Sequence, residues 1–182
     1  MRNDLESILI TEEQLQQKVQ ELGRQIAADY SDKNLLMVSV LKGSILFMAD
    51  LMRAIDIPLE VDFMSVSSYG SKSVTSGEVR ILKDLGGSIE GKDLLIVEDI
   101  LDSGLTLSYL TKMLKSRNPS SIRLCTLLDK PERRHVSVQP DYVGFTIPDA
   151  FVVGYGLDYA EKYRNLPFVG VLKEAVYSGE KA

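Results

Sequence analysis

Apolar runs of strand length alternate along this chain with segments whose apolar residues recur at helical spacing. LLMVSVL (35–41) precedes ILFMADLMRAI (45–55), while DLLIV (93–97) and IRLCTLL (122–128) flank a helical pattern over residues 107–114. Near-continuous apolar runs are typical of strands buried on both faces, and strands that alternate with helices favour right-handed βαβ crossovers. The pattern predicts an α/β fold with a central, mostly parallel sheet flanked by helices.

Weaker patterns extend this assignment toward both ends of the chain. Thr11 and Gln14 have the spacing of a capping box. Four apolar residues then share one helical face: Leu15, Val19, Leu22 and Ile26. Further strand candidates are LEVDFMSV, VRIL, DYVGFTI, FVVGY and FVGVL. The segment SSYGSKSVTSGE is too poor in apolar side chains to pack and indicates a mobile loop.

The composition limits both the architecture and the partners. With 182 residues, 45% of them hydrophobic and 26% charged, the chain predicts one globular domain over residues 1–182. A net charge of −5 without runs of like charge argues against a nucleic-acid partner. No apolar stretch approaches the roughly 20 residues of a membrane span and no secretory signal is evident, so we expect a cytoplasmic protein without a membrane partner.

The chain has one cysteine and one histidine, which excludes several site types. Cys125 lies within an apolar run and predicts a small buried core residue, because neither an internal disulfide nor a thiolate metal cage can form. His135 lies in a polar segment and predicts a solvated loop residue. A histidine-based metal cluster and a Ser-His-Asp triad are therefore disfavoured.

In sheets of this kind, ligands bind at the carboxyl ends of the strands. Four segments follow strand candidates and are expected to converge there: Lys42-Gly43, residues 98–106, Asp129-Lys130 and the residues after Val153. These segments are the candidate binding site.

VEDILDSGLT (97–106) begins with three carboxylates close together, on Glu98, Asp99 and Asp102. Because like charges repel, this cluster favours a bound cation or the hydroxyl groups of a sugar. Consecutive strand residues point to opposite faces, so we expect the strand to end before Glu98 and let both neighbouring acids serve one ligand.

The same motif then opens a helix. Ser103, Gly104 and Thr106 offer hydroxyls and backbone N–H groups where the helix dipole favours an anion. Phosphoribosyl pyrophosphate with Mg²⁺ satisfies both halves, since it carries a ribose, a phosphate at one end and a diphosphate at the other. The alternative is structural: Asp102 or Ser103 caps the helix and the acidic pair is solvated.

This string resembles the binding motif of type I phosphoribosyltransferases, and the resemblance extends over roughly residues 8–172. The matching stretches are VLKGS, SSYG, VEDILDSGLT, LLDKPERR and IPDAFVVGYGLDYAEKYRNLP. Together they look like the hypoxanthine (hypoxanthine-guanine) phosphoribosyltransferase branch. The resemblance implies a central parallel sheet with helices, a small hood formed from the terminal regions, and a homodimer or homotetramer.

The resemblance also implies roles for the residues that would hold the activated sugar. The 5′-phosphate is wrapped by Asp102, Ser103, Gly104, Leu105 and Thr106. Glu98 and Asp99 lie at the ribose hydroxyls and, with Asp158, at magnesium. Lys42, Gly43 and Arg164 bind pyrophosphate, with a cis peptide between Leu41 and Lys42. Some relatives have lysine where this chain has Leu105, so phosphate binding relies here on backbone and hydroxyl donors.

The purine is assigned to a different set of residues by the same resemblance. Lys130 donates to the 6-oxo group, Phe151 stacks on the base, and the Val152 backbone reads the edge of the base. A flexible loop at about 67–79, including Ser68 and Tyr69, closes over the reactants. On pattern alone, Phe151 is a core aromatic and Lys130 a solvated lysine.

The reaction that follows from the resemblance is transfer of the phosphoribosyl group to hypoxanthine, and to guanine, with release of pyrophosphate. Asp102 is the candidate general base for the purine N7 proton. Two alternatives stay open: a xanthine-preferring enzyme of the same class, and a nucleotide-sensing regulator of the same fold that binds nucleic acid.

Overall fold

A six-stranded sheet forms the centre of the computed structural model, which describes residues 1–68 and 79–178. The order of its strands is β4-β3-β2-β5-β6-β7, and all pairings are parallel except that of β3 with β4. The strands are β2 (Leu35–Leu41), β3 (Glu60–Ser68), β4 (Val79–Lys83), β5 (Asp93–Leu101), β6 (Ser121–Asp129) and β7 (Tyr142–Thr146). The predicted α/β architecture is confirmed.

The two faces of this sheet pack against different helices. Leu35 and Met37 of β2 belong to a buried cluster with α1 (Glu12–Asp29) and α2 (Ile45–Ala54). Leu36 and Val38 point the other way and pack with buried leucines of α3 (Leu105–Lys115). Burial on both faces explains why the sequence of β2 is apolar at nearly every position.

The first helix begins as its sequence predicts. The Thr11 N–H donates to the Gln14 side chain at 2.8 Å, and the Gln14 N–H donates to the Thr11 hydroxyl at 3.2 Å, which completes the capping box. The apolar face is fully buried and comprises Leu15, Val19, Leu22 and Ile26. At Gly23 an added Cβ would lie 2.5 Å from the Ala54 carbonyl oxygen, so the absence of a side chain lets α1 approach α2 closely.

A second, three-stranded antiparallel sheet combines both ends of the chain. Its order is β1-β9-β8, from β1 (Leu5–Ile10), β9 (Val169–Leu172) and β8 (Val152–Val153). A separate buried cluster supports it, including Leu5 and Phe168. This sheet is the hood that the resemblance implied, and a short helix, α4 (Glu174–Tyr177), follows it.

Several boundaries differ from the sequence-based expectations. FVVGY contributes only the two residues of β8, because Gly154 (φ +99°), Tyr155 (φ +48°) and Gly156 (φ +101°) leave the extended region of backbone conformation. β1 and α4 were not predicted. Two 3₁₀ turns were not predicted either: Arg2–Asp4 precedes β1, and Pro131–Arg133 follows β6.

The single cysteine and the single histidine lie in the environments that their sequence contexts predict. Cys125 is buried and His135 is exposed, as expected. Among the helices in the described ranges, none combines the length and the apolar character needed to cross a membrane.

Candidate active site

A cavity of about 470 Å³ lies between the carboxyl ends of β5 and β6 and the hood. Its walls combine acidic, basic and aromatic side chains from both sheets: Ile100, Asp102, Lys130, Arg133, Asp149, Ala150, Phe151, Val152, Leu157, Asp158 and Tyr177. Three of the four segments predicted to converge, residues 98–106, Asp129-Lys130 and the residues after Val153, thus line one cavity, whereas Lys42-Gly43 does not. Glu98, Asp99, Lys42 and Arg164 lie outside this lining.

Glu98 and Asp99 lie within β5 rather than beyond its end, so the expectation that the strand stops before Glu98 was wrong. Pairing of β5 with β2 stops at Val97, opposite Ser39, whereas pairing with β6 continues to Leu101. Beyond Val97 the strand therefore has one neighbour instead of two. The acidic pair lies where β2 and β5 separate, which exposes backbone and side chains that a continuous ladder would cover.

Glu98 is buried and Asp99 is half-buried, and the pKa values of both carboxyl groups are raised. Removal from water raises the pKa of Glu98 well above its ordinary range, and the nearby Asp99 raises it further. Burial raises the pKa of Asp99 to about 6, although its Oδ1 accepts the Ile100 N–H at 2.8 Å and this hydrogen bond acts in the opposite direction. Within residues 1–68 and 79–178, no Lys or Arg forms an ion pair with either acid.

The turn from β5 into α3 is built around Gly104, whose φ is +80°. An added Cβ at Gly104 would lie 3.0 Å from the Val136 side chain and 3.1 Å from that of Arg134, so the loop after β6 packs directly on this turn. The His135 N–H donates to the Ser103 carbonyl at 2.9 Å and reinforces the contact. At the start of α3, Leu105 is 41% exposed.

Asp102 is held between two arginines that the sequence analysis did not assign. Its carboxylate lies 2.9 Å from the Arg133 Nε, and its backbone carbonyl accepts the Arg134 Nε–H at 3.1 Å. Arg134 also pairs with Asp129 and donates to the Val138 carbonyl, which ties the end of β6 to the same turn. Asp102 therefore has a fixed backbone and a carboxylate that faces the cavity.

The loop after β2 contains Lys42 and Gly43, which the resemblance assigns to pyrophosphate. The Leu41–Lys42 peptide is cis, as the resemblance implied. Gly43 lies against Asp99, because an added Cβ would lie 1.8 Å from the Asp99 Oδ2. On its other side, a Cβ at Gly156 would lie 1.9 Å from the Gly43 carbonyl oxygen. The loop is thus confined between the acidic strand and the hood.

Lys42 and Arg164 converge on one carboxylate. The Lys42 Nζ lies 3.1 Å from the Glu161 Oε2, and an Arg164 guanidinium nitrogen lies 3.4 Å from the same oxygen. Arg164 also pairs with Asp158 at 2.8 Å and donates to the Gly156 carbonyl at 2.8 Å. Lys42 and Arg164, which the resemblance assigns to pyrophosphate, therefore both contact the Glu161 carboxylate. Asp158, the other partner of Arg164, lines the cavity.

The residues that the resemblance assigns to the purine lie where the end of β6 faces the hood. Lys130 is 7% exposed, and its Nζ donates to the Ala150 carbonyl at 2.6 Å, with Asp149 at 3.6 Å. Lys130 is thus not the solvated lysine that pattern alone suggests. Phe151 is 40% exposed rather than a core residue, and Val152 is buried. Of the loop assigned to the reactants, Ser68 ends β3 and Tyr69 lies outside the described residues.

Sequence reasoning missed five residues of this site. Arg133, Arg134 and Asp149 contact Asp102, Asp129 and Lys130; Glu161 joins the two cations; Tyr177 lines the cavity. Two of them stand in the quoted stretch LLDKPERR, whose consecutive arginines after Lys130 were the available signal. Glu161 and Tyr177 follow no pattern that marks them.

Fold and site together define a phosphoribosyltransferase. Residues 8–160 match the family model described as phosphoribosyl transferase domain, and the chain belongs to that family.

Within the family the chain is similar to hypoxanthine-guanine phosphoribosyltransferases. It is 59% identical over 177 residues to the hypoxanthine-guanine phosphoribosyltransferase of Bacillus subtilis, which covers 97% of this chain and 98% of the relative. A crystal structure of a Staphylococcus aureus hypoxanthine phosphoribosyltransferase superposes with a TM-score of 0.94 at 55% identity, covering 97% of this chain and 96% of that one. The bifunctional protein TilS/HprT of Listeria innocua is 58% identical over 178 residues, and the chain spans 28% of its length.

Proposed function

We propose that this protein transfers the 5-phosphoribosyl group of phosphoribosyl pyrophosphate to hypoxanthine, and to guanine, as a step of purine salvage. The observation that carries the proposal is the cavity of about 470 Å³ in which Asp102 and Lys130 meet Asp158, the partner of Arg164. The Asp102 carboxylate and the buried Lys130 ammonium suit a purine base. Asp158 connects the same cavity to Arg164, so one ligand could place its base in the cavity and its diphosphate at the cations. The similarity to hypoxanthine-guanine phosphoribosyltransferases supports the same assignment.

The sugar-phosphate portion suits the β5–α3 segment. Backbone N–H groups at the start of α3, with the hydroxyls of Ser103 and Thr106, would bind the 5′-phosphate, where the helix dipole favours negative charge. The carboxylates of Glu98 and Asp99 would accept hydrogen bonds from the ribose hydroxyls. Hydrogen bonds of this kind favour the ionised carboxylate and so offset its burial.

The leaving group suits Lys42 and Arg164. Both cations now contact the Glu161 carboxylate, and a pyrophosphate with more charge would compete for the same donors. As the bond between C1 of the ribose and the pyrophosphate oxygen breaks, negative charge builds on pyrophosphate, and these cations would stabilise it. Their contribution is therefore larger in the transition state than with the bound substrate.

The residues present fit Mg²⁺ as a partner of the substrate. Mg²⁺ is usually bound by one or two carboxylates together with substrate phosphates and water. Glu98 and Asp99 supply two carboxylates without an ion pair in the described part of the chain, whereas no group of three or more His, Cys, Asp or Glu there could hold a metal by itself. Asp158 would join them when Arg164 turns toward pyrophosphate. Bound Mg²⁺ supplies charge neutralisation of the diphosphate.

The purine would be bound and deprotonated between the hood and the carboxyl ends of β5 and β6. The Lys130 ammonium would donate to the 6-oxo group, which adenine lacks, Phe151 would stack on the ring, and the Val152 backbone would contact its edge. The purine N9 forms the new bond to C1 of the ribose while the bond to pyrophosphate breaks, with inversion at C1. The proton of N7 passes to the Asp102 carboxylate.

A direct assay tests the proposal. The protein is incubated with phosphoribosyl pyrophosphate, Mg²⁺ and an equal mixture of hypoxanthine, guanine, xanthine and adenine, and the nucleotides and pyrophosphate are quantified. We expect IMP and GMP to form, with pyrophosphate equal to their sum. In a parallel reaction with a chelator of Mg²⁺, we expect neither nucleotides nor pyrophosphate. Absence of all four nucleotides would refute the transferase activity, and a predominance of the xanthine nucleotide would refute the assigned base preference.

A further inference from the structure

Tyr177 stacks on Phe151 in the wall of the purine cavity. The two ring centroids are 4.7 Å apart and the ring planes differ by 18°, while Tyr159 contacts Phe151 edge-on with centroids 5.6 Å apart. Phe151 is 40% exposed and Tyr177 is 37% exposed, so this pair is not part of a core. Large aromatic side chains left open on the wall of a polar cavity are typical of a binding surface.

The stacking leaves Phe151 without a free face on that side. Stacked aromatic rings approach to about 3.5 Å, so a base held between two rings needs centroids about 7 Å apart. A separation of 4.7 Å leaves no room for a base. A purine that stacks on this face of Phe151 must therefore displace Tyr177 by a few ångströms.

The attachment of Tyr177 permits such a displacement. The Lys173 N–H donates to the Asp4 carbonyl at 3.0 Å and its Nζ donates to the Asn3 carbonyl at 2.8 Å, which fixes the start of α4 on the hood. Val176 packs against the buried hood cluster. Tyr177 is the last residue of α4, so rotation of its side chain moves the ring without disturbing these anchors.

We propose that Tyr177 is a purine-binding residue, which covers Phe151 in the free protein and stacks on the outer face of the base once the base takes its place. The inference rests on the proposed function, because it assigns the purine to the Phe151 side of the cavity. Its consequence is that the base is held between two aromatic rings. Tyr177 would then contribute to purine affinity and not to binding of the sugar-phosphate.

A single-tryptophan variant reports the displacement directly. The chain contains no tryptophan, so Tyr177→Trp places one fluorophore at the cavity. Titration with IMP is expected to give a saturable change in emission, whereas ribose 5-phosphate, which lacks the base, is expected to give none. Val61→Trp is the matched control, because Val61 is 43% exposed near the start of β3, at the edge of the sheet opposite the site.

Kinetics separate this inference from the proposed function. Tyr177→Ala is expected to raise the KM for hypoxanthine about tenfold, as for loss of one stacked ring. The KM for phosphoribosyl pyrophosphate should change less than twofold. Tyr177→Phe, which keeps the ring, should have the wild-type KM for hypoxanthine. If the wild-type protein forms IMP but Tyr177→Ala keeps its hypoxanthine KM, or Tyr177→Trp does not respond to IMP, the role of Tyr177 is refuted and the activity stands. If the wild-type protein forms no nucleotide, the proposed function itself fails.

Discussion

The central sheet and the hood hold their functional residues in different ways. Glu98 is buried and Asp99 is half-buried in β5, a strand whose apolar residues pack against helices on both faces of the sheet. Phe151 and Tyr177, in contrast, are 40% and 37% exposed beside a sheet whose strand β8 has only two residues. The sheet confines its acids, whereas the hood leaves its aromatic residues room to rearrange.

This difference matches the two halves of the proposed ligand. Developing charge is best stabilised by groups that are already in place, which favours a rigid sheet under the sugar and diphosphate. A flat apolar base is recognised by stacking, which tolerates small movements of the rings. We infer that the sheet performs the chemistry and the hood selects the base, and the following changes test that division.

The largest effect is expected from Asp102→Asn, which removes the proposed proton acceptor at the border between the two regions. We expect kcat to fall at least 100-fold, because a positioned general base typically contributes 10² to 10⁴, while the dissociation constant for phosphoribosyl pyrophosphate changes little. Steady-state kinetics and equilibrium binding measure the two quantities. Asp56→Asn, at an exposed position after α2, is the matched control. An unchanged kcat would remove Asp102 from this role.

Lys130→Met tests base recognition by the lysine that follows β6 and contacts the hood through the Ala150 carbonyl. The variant keeps the length of the side chain but cannot donate to the 6-oxo group or to the Ala150 carbonyl. A hydrogen bond from a charged group contributes roughly 1.5–3 kcal/mol, so the KM for hypoxanthine should rise about 10- to 100-fold. Binding of phosphoribosyl pyrophosphate should be unaffected, as in the control Lys115→Met on the exposed face of α3. Equal losses for both substrates would contradict the division.

Gly43→Ala tests the confinement of the sheet side. The new Cβ would lie 1.8 Å from the Asp99 Oδ2, so either the loop or the acid must move. Overpacking of this kind costs about 1–3 kcal/mol, and we expect a lower Tm and a severalfold weaker affinity for phosphoribosyl pyrophosphate. Gly87→Ala provides the comparison, because nothing lies within 4 Å of its added Cβ. If both variants behave alike, the contact between Gly43 and Asp99 does not organise the site.

The same division explains what the sequence predicts. Strands buried on both faces have a nearly continuous apolar pattern, as in LLMVSVL, and the carboxyl-end rule then brings Lys42, Asp102 and Lys130 to one edge. For this reason, the sheet side of the site could be predicted from the sequence. The extent of β5 could not be predicted, because the continuation of the strand past Val97 depends on its pairing with β6 rather than on its own residues.

The hood is less predictable because its contacts join distant parts of the chain. Leu5 pairs with Leu172, and the Lys173 N–H reaches the Asp4 carbonyl, so β1 and the position of Tyr177 depend on partners more than 160 residues away. Glu161 is held with φ +61°, a conformation that no local pattern predicts. The resemblance supplied Phe151 where apolar pattern alone suggests a core residue.

The smallest effect is expected from Glu161→Gln, which tests the junction between the two regions. Glu161 neutralises Lys42 and Arg164 in the free protein, and the interaction lowers the pKa of its carboxyl group. Pyrophosphate would have to displace this carboxylate, so removal of its charge should lower the KM for phosphoribosyl pyrophosphate by roughly twofold, because exposed ion pairs are weak. The gain should shrink at high ionic strength and be absent in Glu90→Gln, at an exposed turn. A weaker affinity would instead mean that Glu161 helps to position the two cations, and the hood would then share in the chemistry that we assign to the sheet.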